Sequence, residues 1–91
     1  MGQYAEALPL FQKALEIYKE QLGDRHRSTA QSYNNLAALY YSMGRYEEAL
    51  PLYQKALEIL QSVLGDDHPN TQTVQQNYVR CLGELPDSDS H

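Results

Sequence analysis

Apolar residues return every three or four positions through most of this chain, with polar residues between them. Leu8, Phe11, Leu15, Tyr18 and Leu22 form the first such stripe, and Ala7 and Ala14 lie beside it. That spacing predicts an amphipathic helix over residues 4–22, in a segment made almost only of good helix formers. Gly23 follows the last apolar position, where a left-handed C-terminal cap is usually wanted. Leu50, Tyr53, Leu57, Leu60 and Leu64 repeat the pattern over residues 46–64, and Gly65 stops it. Between these two, Tyr33, Leu36, Ala37, Leu39 and Tyr40 predict a helix over residues 28–42, with Ser28 or Thr29 capping its start. A fourth helix over residues 70–84 carries Val74, Tyr78, Val79, Cys81 and Leu82. Pro69 suits its first turn, where a missing N–H costs little.

Pro9 and Pro51 fall inside these helical patterns. Each removes a backbone hydrogen bond, but in the second turn the loss is close to the helix start, so a mild bend is expected rather than a break. Met43-Gly44-Arg45 is too short a turn to join anything but antiparallel neighbours. Residues 85–91 read as a frayed acidic tail.

The stripes also repeat as sequence. Residues 1–42 return as residues 43–84 with 20 of the 42 positions identical, so the expected domain is residues 1–84 in two units. The strongest match pairs Met1-Gly2-Gln3-Tyr4 through Ile17 with Met43-Gly44-Arg45-Tyr46 through Ile59. A repeat of this length predicts a stacked solenoid, in which each unit buries its apolar face against its neighbours. The fold class expected is therefore all-α.

Composition narrows the function classes. A chain of 91 residues makes one small, marginally stable domain. Its net charge is −5, and its seven basic residues are scattered, which argues against nucleic acid or an anionic membrane as partner. Cys81 is the only cysteine, so no intrachain disulfide forms and a cysteine-based zinc site is not expected, which fits a cytoplasmic setting. No apolar run approaches the roughly 20 residues that span a bilayer. Met1-Gly2 is already in register with Met43-Gly44, so no signal peptide is expected ahead of the first unit.

The residues from Tyr33 to Ile59 resemble a tetratricopeptide repeat. Tyr33 stands where that family opens its first helix with a large residue, and Leu36, Ala37 and Tyr40 match the packing positions that follow. Gly44 and Tyr46 match the turn, and Ala49, Tyr53 and Ala56 match the second helix. The 42-residue period and the extension Leu64-Gly65-Asp66-Asp67-His68-Pro69-Asn70-Thr71 are similar to the kinesin-light-chain type of repeat. No heptad segment is present, so a motor role is not implied. The fourth helix departs from the pattern, with Gln75 one period after Tyr33 and Val79 where a small residue is usual, which suits a terminal cap.

The resemblance implies an interaction module that binds a peptide or partner protein in a groove lined by the first helix of each unit. Carried across, that face is Gln31, Asn34, Asn35, Ala38, Tyr41 and Ser42, followed by Thr73, Gln76, Asn77 and Arg80. An asparagine at the place of Asn35 and Asn77 often bonds the backbone of an extended peptide in this family, since an amide both donates and accepts. The alternative is a polar residue on a solvated face. Arg80 suits an acidic side chain or carboxylate, or is a plain surface arginine.

In the family's terms the helix order is B-A-B-A, which leaves the first and last helices without a partner. Phe11, Leu15 and Tyr18 are then partly uncovered, and such a stripe marks an interface or a truncation. The chain is thus expected either to belong to a longer array or to self-associate, with the helix bearing Tyr78 and Leu82 covering the Tyr4–Leu22 helix of another copy. A structural self-assembly role is the alternative function. No catalytic constellation, phosphate loop or cofactor motif is present, and no enzyme is expected. His26 and His68, beside Asp24, Asp66 and Asp67, read better as helix-end and loop hydrogen-bonding groups than as metal ligands. Cys81 reads as a small buried apolar residue, and the eight tyrosines as packing residues.

Overall fold

The computed structural model describes residues 3–85. Four helices follow one another: α1 Gln3–Leu22, α2 Arg27–Ser42, α3 Tyr46–Val63 and α4 Pro69–Glu84. The predicted all-α architecture and its order of helices are present, with boundaries within one residue of the apolar stripes. Both α1 and α3 run through their prolines, Pro9 and Pro51. Of the expected acidic tail, Leu85 alone is described, and residues 86–91 lie outside the described residues.

The helix ends are fixed by a device used twice. Gly23 and Gly65 take φ of +84° and +87°, a conformation L side chains avoid, and turn the chain out of α1 and α3. His26 then holds an extended conformation, and its Nδ1 accepts from the Ser28 backbone N–H at 3.0 Å. His68 does the same for Asn70 at 3.1 Å. The cap of α2 is therefore His26, and not Ser28 or Thr29 as the sequence suggested. Thr29 instead points inward, fully buried, and its hydroxyl donates to the Gly23 carbonyl at 2.7 Å. Thr71, one period later, is equally buried and donates to the Leu60 carbonyl at 3.4 Å.

Packing runs in sequence, with α1 on α2, α2 on α3 and α3 on α4, and a lighter contact between α2 and α4. One core cluster joins all four helices through Leu15, Ala30, Tyr33, Leu36, Ala56, Ile59, Leu60 and Val74. A second joins Ala37, Ala49, Tyr53 and Cys81. The alanines among them are fully buried, so the backbones approach closely there. Each large side chain in these clusters contributes about 1.5–3 kcal/mol by leaving water. Cys81 is buried as expected, and its thiol lies 3.5 Å from the Tyr46 carbonyl. Burial pushes that thiol above its ordinary pKa.

Candidate functional site

The apolar stripes turn one side of α2 and α4 into the core, and this leaves their polar sides facing out together. Two contacts set the pair side by side. Asn77 Nδ2 donates to Asn34 Oδ1 at 3.3 Å, and the Tyr41 hydroxyl donates to Glu84 Oε2 at 2.9 Å. That bond to Glu84 raises the Tyr41 pKa, with burial as the next cause. Tyr41 also meets Tyr46 edge to face, with ring centroids 5.1 Å apart.

Around this seam Gln31, Asn35, Ser42, Thr73, Gln76 and Arg80 are exposed, and Ala38, Tyr41 and Asn77 are half-buried. Asn34 is buried and belongs to the seam itself. The residue that meets Asn77 is thus Asn34, while Asn35, the next residue along α2, borders α1. There Asn35 and Ser32 line a hollow of about 210 Å³ with Phe11, Ala14 and Tyr18 of α1. A larger open hollow of about 580 Å³ lies along α4, lined by Gln72, Gln75, Gln76, Val79 and Arg80. Chemically the surface offers amide and hydroxyl donors and acceptors with one guanidinium. Among the described residues no three His, Cys, Asp or Glu side chains gather as metal ligands.

The unpartnered stripe on α1 divides in two. Leu15 was expected to be uncovered, but it is buried, because the Leu8–Leu15 side of α1 packs on α2. Phe11 and Tyr18 stay exposed, joined by Leu10 and Ile17. On α4, Leu82 and Val79 are exposed, whereas Tyr78 packs on the second core cluster. Glu84 and Gln72 escaped the sequence reading. Glu84 sits at a helix end with nothing in its spacing to mark it, while Gln72 falls one period after Ala30 and is visible once the repeats are aligned. No described helix is long and apolar enough to cross a membrane.

The profile of the tetratricopeptide repeat family matches residues 1–62 and again residues 31–90. No curated protein matches the chain significantly. Tetratricopeptide repeats serve generally as protein–protein interaction modules and typically as non-enzymatic scaffolds. The overlapping matches run through all four helices, and the chain belongs to the tetratricopeptide repeat family.

Proposed function

We propose that this chain is a protein-binding module, and not an enzyme, that takes an extended peptide segment along the outward strip of α2 and α4. The observation that carries this reading is the Asn34–Asn77 bond, which holds the two helices in register so that their exposed polar side chains form one strip. An extended peptide presents alternating N–H and C=O groups, and amide side chains answer both. Asn35 and Gln76 supply free amides, Asn77 keeps one carbonyl oxygen and one N–H beyond its bond to Asn34, and Arg80 supplies a contact for a carboxylate. The free, buried thiol of Cys81 suits a reducing, cytoplasmic setting.

The experiment is selection of peptides from a random displayed library on the wild-type chain, followed by fluorescence anisotropy with the enriched peptides. Asn35→Ala and Arg80→Ala are each expected to weaken binding about tenfold, equivalent to about 1.4 kcal/mol. Lys55→Ala and Glu58→Ala, on the side of α3 beside Asp24 and Arg25 of the loop between α1 and α2, leave it unchanged. Equal affinity of the enriched peptides for wild type and the Asn35→Ala, Arg80→Ala double variant would overturn the reading.

A further inference from the structure

The two hollows at opposite ends of the fold are related by the repeat. Moving Phe11, Ala14, Tyr18, Ser32 and Asn35 forward by one 42-residue period gives Tyr53, Ala56, Leu60, Val74 and Asn77. That second set is the seat in which α2 lies. Tyr53, Ala56, Leu60 and Val74 are all buried there among α2 residues, and Asn77 holds Asn34 of α2. Exposure measures the difference: Tyr53 and Leu60 are 3% and 1% exposed, whereas Phe11 and Tyr18 are 37% and 40% exposed. The first hollow is therefore a seat for a helix of the α2 kind that no described helix fills.

The other end supplies such a helix. Moving the α4 hollow back by one period turns Gln72, Gln75, Gln76, Val79 and Arg80 into Ala30, Tyr33, Asn34, Ala37 and Ala38. Ala30, Tyr33 and Ala37 are among the α2 side chains that enter the two core clusters with α3. Each hollow is thus one half of a junction that the chain already makes once within itself.

We infer that a second copy of this chain docks head to tail, with the outward face of α4 seated in the Phe11, Tyr18 and Asn35 hollow of its neighbour. The substitutions across the seat compensate. Where the internal junction sets Ala37 against Tyr53, the new one sets the larger Val79 against the smaller Phe11. Where Tyr33 and Leu60 share a cluster, the aromatic ring changes sides to Tyr18, with Gln75 in the place of Tyr33. The Asn77 to Asn34 bond becomes Asn35 to Gln76, which keeps an amide at both ends. Burial of Phe11, Tyr18 and Val79 is the driving force. Asn35 of one copy and Arg80 of the next then border one continuous strip. A head-to-tail contact of this kind propagates unless its rotation closes a ring.

Light scattering across a concentration series tests this with two variants, Phe11→Glu and Val79→Glu, whose helix content is checked by circular dichroism. Wild type is expected to gain mass with concentration, and each variant alone to stay monomeric. Mixed in equal amounts, the variants are expected to form a one-to-one dimer, since one intact α4 face meets one intact α1 seat. Should Phe11→Glu lose helix, Tyr18→Lys takes its place. A wild type that stays monomeric overturns the inference and assigns both faces to other repeats or other proteins. Assembly by Val79→Glu alone overturns it in favour of α1 pairing with α1. Mixed variants that stay monomeric while wild type assembles overturn it as well. Peptide binding by monomeric Phe11→Glu reads the groove separately.

Discussion

Asn77 of α4 reaches Asn34 of α2, 43 positions away and not the 42 of the repeat. The bond joins a residue to the neighbour of its own equivalent, because adjacent helices in a stacked array meet on different faces. Asn34 is buried, so its carbonyl oxygen depends on this one amide. A double-mutant cycle of Asn34→Ala and Asn77→Ala is expected to give a coupling of about 1 kcal/mol by urea unfolding. Strict additivity would remove the seam as the element that aligns α2 with α4.

The two buried threonines separate by hydroxyl geometry. Thr29 donates at 2.7 Å to the Gly23 carbonyl, and Thr71 donates at 3.4 Å to the Leu60 carbonyl. Thr29→Val keeps the shape, leaves that carbonyl without its donor and is expected to cost about 1–2 kcal/mol. Thr71→Val is expected to cost less than half as much in the same unfolding assay. The reverse order would mean that the short bond is not the one that holds the loop.

Glycine substitutions are expected to differ in sign. A side chain at Gly23 meets open space but sits on a backbone with φ +84°, so Gly23→Ala should cost about 1 kcal/mol. Gly83 has equally open space and an ordinary helical backbone. Gly83→Ala should therefore stabilise by about 0.5 kcal/mol, read as a rise in Tm.

Burial first, and then Cys81, push the Tyr53 hydroxyl up to about 12. The unfolded chain binds that proton less tightly, at the ordinary tyrosine value of about 10. The raised group contributes stability that is fully present below about pH 10 and is lost as pH rises toward about 12. Unfolding free energy is expected to fall by on the order of 2 kcal/mol across that window. Tyr53→Phe should flatten the slope relative to wild type, and an unchanged slope would place the effect in other tyrosines.

Much of this fold is legible in the sequence because its causes are local. The period of Leu8, Phe11 and Leu15 marks a helix, and Gly23 marks its end. The helix-end role of His26 and His68 is legible from their recurrence at the loops, but that His26 displaces Ser28 and Thr29 as the cap of α2 is not, since those are commoner caps and stand in a plausible place. Thr29 turns into the core instead, which no local pattern announces. The burial of Leu15 is hidden for a related reason: one stripe on α1 serves two neighbours, and spacing does not say where one contact ends and the next begins. The pairing of Asn77 with Asn34 needs the rotation between helices, which alignment by repeat does not contain.

NMR mapping tests directly whether a peptide binds along the α2 and α4 strip. An isotope-labelled chain is titrated with a peptide enriched on the wild type. The expected result is perturbation of the amides of Gln31, Asn35, Gln76, Asn77 and Arg80, with Lys55 and Glu58 unmoved. Perturbation centred on Lys55, Glu58 and Ser62 instead would place binding on α3 and away from the α2 and α4 strip.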